Sequence, residues 1–153
     1  ITGVMQLEGE NFMRRTLDIS ELYDFIKERK DCYFVCCDIQ HMIEINEVSC
    51  EAGDIAIIEA MKRMEDSSNE DDVVFRIGGD EFVILTNSKD KNYADDICRK
   101  ILSMNGKLLP YDKAEVPLKL YASSIKLSDN KTIRYNEIFQ ELQVTCRTKQ
   151  EQQ

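Results

Sequence analysis

Four residues in the middle of the chain have the types needed to hold a phosphate beside a divalent cation: Gly78-Gly79-Asp80-Glu81. They stand between two short apolar runs, 73–77 and 82–85, which predicts two β-strands joined by a tight hairpin. Glycine permits positive φ and lets another group approach the backbone. Two adjacent carboxylates provide the oxygen ligands that Mg²⁺ prefers. The alternative is an ordinary structural turn, for which the same residue types are typical.

A third carboxylate follows another predicted strand. The apolar run 32–37 predicts a buried strand that ends at Asp38. If this strand neighbours the hairpin, Asp38, Asp80 and Glu81 meet at one edge of the sheet, where they repel one another. Two Mg²⁺ ions would remove that repulsion and would also hold a triphosphate. The alternative is three solvated acids that never meet.

The remaining patterns predict the elements that must position these acids. Helices are predicted from Ser20 to Lys30, from about Glu51, from Asn92 to about Asn105, and from about Tyr135 to Arg147. The alternating run 118–122 predicts a further strand, and the polar segment 65–72 predicts a solvated loop. This order favours an α+β fold in which helices flank a mainly antiparallel central sheet.

Composition limits the classes of function. The 153 residues carry a net charge of −9, which argues against nucleic acid as a partner. A nucleoside triphosphate remains compatible, because bound metal can supply positive charge. No run approaches the roughly 18–20 apolar residues of a membrane span and no leader is visible, so we expect a cytoplasmic domain without membrane contact. The six cysteines include no Cys-x-x-Cys pair, and we expect reduced thiols rather than a zinc site or disulfides.

Several motifs occur in a fixed order along the chain: Ile1-Thr2-Gly3-Val4, Asp38-Ile39-Gln40-His41-Met42-Ile43, Asn46-Glu47, Gly53-Asp54 and Gly78-Gly79-Asp80-Glu81-Phe82. Together they resemble the GGDEF domain, the catalytic module of bacterial diguanylate cyclases. The resemblance covers nearly the whole chain and implies a palm-like, ferredoxin-related nucleotidyl cyclase fold. We therefore expect a single domain over 1–149 and a frayed tail over 150–153, in a piece of a longer signalling protein.

The resemblance also implies a role for each matching residue. The metal ligands would be Asp38, the Ile39 carbonyl, Asp80 and Glu81, with two Mg²⁺ ions at each site. Asp80 would be the catalytic residue, beside the attacking 3′-hydroxyl. The implied reaction joins two GTP molecules, one from each half of a homodimer, into cyclic di-GMP and releases two pyrophosphates.

The same resemblance assigns substrate-binding residues. Gly78 and Gly79 would let the phosphates approach the backbone. Asn46 and Asp54 would pair with the guanine edge, which offers both donors and acceptors to an amide and a carboxylate.

Departures from the family pattern leave two classes of function open. Ile43 stands where a phosphate-facing lysine is expected, and loss of such a contact typically costs about 10²–10³ in rate. Cys50-Glu51 replaces a Gly-His pair, and the end of the chain lacks the expected Gly-Arg. Asp72 remains from an inhibitory Arg-x-x-Asp motif whose arginine is missing, so we expect no product feedback there. The chain is then a weak or impaired cyclase, or a non-catalytic regulatory module that binds GTP or dimerises.

Overall fold

The computed structural model describes residues 6–7, 10–11, 19–29, 31–110 and 116–126. Its elements, in chain order, are β1 (Gln6–Leu7), β2 (Glu10–Asn11), α1 (Ile19–Lys27), β3 (Tyr33–Ile39), α2 (Met42–Val48), α3 (Cys50–Ser67), β4 (Val73–Arg76), β5 (Glu81–Leu85), α4 (Lys91–Ser103) and β6 (Leu120–Lys126). The N-terminal motif 1–4, the predicted helix 135–147 and the tail 150–153 lie outside the described residues.

Four strands form one antiparallel sheet in the order β4-β5-β3-β6, and β1 and β2 pair as a separate ribbon. β3 lies between β5 and β6 and is antiparallel to both. Its near-continuous apolar run suits this position, because both of its faces are covered. The predicted α+β fold with an antiparallel central sheet is confirmed.

Alternate residues of β3 enter two separate cores. Val35 and Cys37 pack on the face covered by α3 and α4. Phe34 and Cys36 pack on the opposite face, against Phe25 and other residues around α1. Helices thus cover both faces of the sheet, and each fully buried large side chain contributes about 1.5–3 kcal/mol of hydrophobic stabilisation.

Two of the described helices, α3 and α4, start after a capping side chain. The side chain of Ser49 accepts a hydrogen bond from the Ala52 N–H at 3.0 Å, which satisfies a free donor in the first turn of α3. α4 is capped in the same way by Asp90, which accepts from the Asn92 N–H at 2.9 Å. The predicted start of this helix at Asn92 was therefore late, because Asn92 already lies inside the helix and Asp90 is its N-cap.

The segment 65–72 is only in part the solvated loop that its polarity predicts, because only residues 69–71 are exposed in a turn. α3 continues to Ser67, and Asp72 is only 3% exposed. The Asp72 carboxylate accepts hydrogen bonds from the Tyr93 hydroxyl at 2.6 Å and from the Asn69 N–H at 2.9 Å. Asp72 thus joins this loop to α4, which gives a structural reason for an acid at this position.

A buried arginine fastens α3 to the segment that follows α4. Arg63 is 3% exposed. Its guanidinium donates to the carbonyls of Met104, Lys107 and Leu118 at 3.3, 3.2 and 3.0 Å, and it pairs with Glu59 at 3.5 Å. Because so many acceptors surround the charge, burial does not leave it unsatisfied.

The thiols differ in state. Cys32, Cys37 and Cys98 are free and buried, and Cys50 is free and exposed. Burial raises the pKa of Cys98 to about 12, so its thiol stays protonated at neutral pH. Cys36 is disulfide-bonded, which corrects the expectation of reduced thiols for that residue; its partner lies outside the described residues.

Candidate active site

Two of the predicted metal ligands lie directly opposite each other. In the β3–β5 pair, Asp38 is in register with Glu81. Opposed residues of an antiparallel pair project to the same face with β-carbons about 4.5–5.5 Å apart. Like charges in such a pair destabilise a sheet, so a cation between them would be favourable.

Asp80 reaches the same corner through the backbone. The Ile39 N–H donates to the Asp80 carbonyl at 3.0 Å, which joins the end of β3 to the residue before β5. Asp38 and Asp80 are half-buried, and Glu81 is 9% exposed. One carboxylate oxygen of Asp38, Oδ1, is buried from solvent. The four predicted ligand residues, Asp38, Ile39, Asp80 and Glu81, therefore lie where β3 ends and β5 begins. We call this part of the sheet the metal corner.

The residues present fit Mg²⁺ in chemistry. All are oxygen donors, and Mg²⁺ is commonly held by one or two carboxylates together with substrate phosphates rather than by a closed protein cage. Among the described residues, no group of three or more His, Cys, Asp and Glu side chains is arranged to hold a metal ion. The carboxylates at this corner would thus provide only part of a coordination shell, and a triphosphate would have to complete it.

The hairpin turn is held by a short set of hydrogen bonds. The N–H groups of Ile77 and Gly78 both donate to the Glu81 carbonyl, at 2.9 and 3.2 Å. Neither Gly78 nor Gly79 has positive φ, so this turn does not use the left-handed region that glycine permits. A β-carbon at Gly79 would meet nothing within 4 Å, which leaves open space for an approaching group.

The two predicted guanine readers lie on consecutive helices. Asn46 is on α2 and Asp54 on α3, and both are exposed. The chain turns sharply between these helices because Ser49 is extended, with φ −173° and ψ 161°. A β-carbon at Gly53 would collide with the Asn46 side-chain amide, so Asn46 lies against the residue that precedes Asp54.

The departures from the family pattern are also at the surface. Ile43 lies in the first turn of α2 and is 74% exposed. Glu51 lies in the first turn of α3 and is exposed. Neither is explained by packing, because neither side chain enters a core.

Sequence reasoning missed two residues at this corner. Tyr121 of β6 is in register with Asp38 on the side opposite Glu81, so Glu81, Asp38 and Tyr121 form a row on one face of the sheet. Burial raises the pKa of the Tyr121 hydroxyl above its ordinary value of 10.0. Arg76, at the end of β4, donates to the hairpin backbone. Tyr121 is found only from the pairing of β3 with β6. Arg76 stands two residues before the glycine pair in the sequence, and this position could have indicated a role at the turn.

Solved structures share this arrangement of sheet and helices. A sensory box/GGDEF family protein from Caulobacter crescentus CB15 is 18% identical with a TM-score of 0.63, and 79% of each chain is covered. The GGDEF domain of DgcB from Caulobacter crescentus is 12% identical with a TM-score of 0.66, covering 86% of this chain and 81% of that chain. The FimX GGDEF domain from Pseudomonas aeruginosa is 13% identical with a TM-score of 0.66, covering 84% and 85%. The fold is therefore that of GGDEF domains.

The family follows from the sequence as well. The family model described as the diguanylate cyclase, GGDEF domain matches residues 4–152, so the chain belongs to the GGDEF family. No curated protein sequence matches it. Within the described ranges, no helix has the length and apolar character needed to cross a membrane.

Proposed function

We propose that this domain binds GTP with Mg²⁺ and converts two GTP molecules, one on each half of a homodimer, into cyclic di-GMP and two pyrophosphates at a reduced rate. The proposal rests chiefly on the pairing of Asp38 with Glu81 and on the hydrogen bond from Ile39 to Asp80. It is supported by family membership and by the related DgcB domain, which was solved in complex with c-di-GMP.

Each residue then has a chemical task. Asp38, the Ile39 carbonyl, Asp80 and Glu81 would hold Mg²⁺, which supplies positive charge against the triphosphate. Asp80 accepts the proton of the attacking 3′-hydroxyl as the new bond forms between that oxygen and the α-phosphorus of the other GTP. The bond from that phosphorus to the bridging oxygen breaks, and pyrophosphate leaves. Asn46 and Asp54 orient the guanine.

The alternative is a non-catalytic GTP-binding or dimerising module in the cytoplasm that regulates other domains of a longer protein. The observation that favours it is the exposed Ile43 at the start of α2, where the family pattern has a phosphate-facing lysine. Under this alternative the metal corner binds Mg²⁺–GTP, but no lysine at position 43 adds positive charge beside the phosphates as charge grows in the transition state.

The purified chain, incubated at high concentration with GTP and MgCl₂, separates these functions when cyclic di-GMP is assayed by chromatography. We expect slow product formation that Asp80→Asn abolishes. Asp66→Asn is the matched control, because it removes an exposed carboxylate near the C-terminal end of α3. No product at any protein concentration, with GTP still bound, would contradict catalysis and favour the regulatory module.

Binding provides a second and independent measurement. The acidic corner should repel a bare triphosphate, so we expect calorimetric titration to detect GTP binding only with a divalent cation. GTP should bind more tightly than ATP by about 1–3 kcal/mol, because adenine leaves the polar groups of Asn46 and Asp54 unpaired. Equal binding with and without Mg²⁺ would contradict the metal site.

A further inference from the structure

Arg76 folds its side chain over the turn that follows it in the chain. Its Nε donates to the Gly78 carbonyl at 3.0 Å and its Nη2 to the Gly79 carbonyl at 2.6 Å. A guanidinium is a rigid planar fork of donors, so a single side chain fixes two successive carbonyls. The side chain is half-buried at the end of β4, where the strand limits its movement.

Fixing these carbonyls also fixes two N–H groups. The described backbone has no cis peptide bonds, and in a planar trans peptide the C=O and N–H bonds point in opposite directions. The Gly78 carbonyl shares its peptide with the Gly79 N–H, and the Gly79 carbonyl shares its peptide with the Asp80 N–H. Because Arg76 holds both carbonyls on its own side, both N–H groups face away from it.

The two N–H groups are available to a ligand. Neither has an acceptor among the described residues, and the space beside Gly79 is open to at least 4 Å. Successive backbone N–H groups directed to one side form a concave anion-binding element. This element immediately precedes the Asp80-Glu81 pair, where a cation held by carboxylates and a phosphate held by N–H groups would be adjacent.

We propose that Arg76 is a positioning residue which directs the N–H groups of Gly79 and Asp80 at a phosphate of the bound nucleotide. It acts through the backbone, because its Nε and Nη2 donate to the two carbonyls. This inference rests on the proposed binding of GTP and adds to it the residue that orients the phosphate-binding turn.

The test uses the full chain labelled with ¹⁵N, titrated with Mg²⁺–GTP and separately with Mg²⁺–pyrophosphate. We expect the amide signals of Gly79 and Asp80 to shift with both ligands, since the phosphates are common to them. Absence of these shifts when Mg²⁺–GTP binds would overturn the inference, whatever any variant does.

Two variants then distinguish the forked geometry of the Arg76 guanidinium from its positive charge. Arg76→Lys keeps the positive charge but cannot hold both carbonyls, and Arg76→Gln removes the charge. We expect both to lose roughly ten- to a hundredfold in affinity for Mg²⁺–GTP, the value of charge-assisted hydrogen bonds, and to lose the amide shifts. Arg99→Gln, an exposed change on α4, is the matched control and should bind normally.

A melting curve is recorded for each variant. If Arg76→Gln fails to fold, Arg76→Lys by itself provides the test. Wild-type affinity in a folded Arg76→Lys variant would overturn the positioning role, because charge alone would then suffice. That result leaves the proposed function intact. Failure of the natural chain to bind Mg²⁺–GTP would instead contradict the proposed function itself.

Discussion

The side-chain amide of Asn46 occupies the space beside Gly53 into which any larger residue would project its β-carbon. Asn46 is on α2 and Gly53 is in the first part of α3, so this contact sets how closely the two helices approach at the predicted guanine site. Met42 lies on the same side, with its methyl carbon 3.5 Å from the position of that β-carbon. Glycine at this position therefore determines where Asn46 can lie.

Gly53→Ala should separate stability from binding. Alanine is favoured over glycine in a helix by up to about 1 kcal/mol, and the exposed Asn46 side chain can rotate away, so we expect an unchanged or higher melting temperature. GTP affinity should fall by about 1–3 kcal/mol, because Asn46 no longer reaches the base. Calorimetry and melting curves measure both effects.

Asn46→Ala provides the matched background for this change. If Gly53 acts only through Asn46, adding Gly53→Ala to Asn46→Ala should have no further effect on binding, which a double-mutant cycle measures. Full GTP affinity in Gly53→Ala, together with weak binding in Asn46→Ala, would show that Asn46 reaches guanine from a different position.

Local patterns predicted the strands that carry the acids, but they could not predict how the strands pair. The run ending at Asp38 and the hairpin before Glu81 were recognisable from β-type residues and glycine. Their direct opposition depends on the order β4-β5-β3-β6, which is set by contacts distant in sequence. The row that adds Tyr121 depends on a second register, and no local pattern encodes it.

The sequence patterns also could not predict the short helix α2 or the burial of Asp72. The helix α2 has seven residues and buries only Ile45, so it has no apolar stripe to recognise. The polarity of segment 65–72 predicts that Asp72 is solvated. It is buried because Tyr93 and Asn69 supply hydrogen bonds, and those partners meet only in the folded chain.

Ile43→Lys tests whether the absence of a lysine near the phosphates limits turnover. Because Ile43 is 74% exposed, a lysine there stays solvated, and we expect a change in unfolding free energy within about 0.5 kcal/mol. A cation near the phosphates stabilises charge that grows in the transition state, so cyclic di-GMP formation should rise by up to about 10²-fold. Val48→Lys, on the same helix and 47% exposed, controls for added charge. Unchanged turnover in a stable Ile43→Lys protein would favour the regulatory module.

Asp95 should contribute a pH-dependent part of the stability. It accepts hydrogen bonds from Lys91 at 2.9 Å and from the Ser124 hydroxyl at 2.8 Å, which links α4 to β6. The hydrogen bond from Lys91, followed by that from Ser124, lowers the pKa of Asp95 below its ordinary value of 3.8. A carboxylate with a depressed folded-state pKa stabilises the protein above its unfolded pKa, and the contribution disappears as pH falls through the folded value.

Asp95→Asn should therefore lower the unfolding free energy by about 1 kcal/mol at neutral pH. The difference from the natural chain should shrink as pH falls below about 4, which denaturant titrations at several pH values can measure. Asp66→Asn, an exposed change, serves as control. A difference that stays constant down to pH 2 would mean that ionised Asp95 contributes no net stability.

Replacing Arg63 should lower the unfolding free energy more than most substitutions do, although Arg63 lies outside the predicted site. Arg63→Met keeps the length of the side chain but leaves the carbonyls of Met104, Lys107 and Leu118 without the guanidinium that satisfies them. It also removes the partner of Glu59. Breaking such a buried charged network typically costs about 3 kcal/mol or more, which corresponds to a fall in melting temperature of roughly 6–12 °C for a domain of this size.

Arg99→Met is the control for Arg63→Met, since its side chain is 70% exposed and should cost less than about 0.5 kcal/mol. Well below its melting temperature, the Arg63 variant should bind Mg²⁺–GTP normally, because Arg63 is ten residues beyond Gly53, about 15 Å farther along α3. Equal melting temperatures for the two variants would show that the segment after α4 is held by other contacts. A loss of GTP affinity without a loss of stability would place Arg63 in the binding machinery instead.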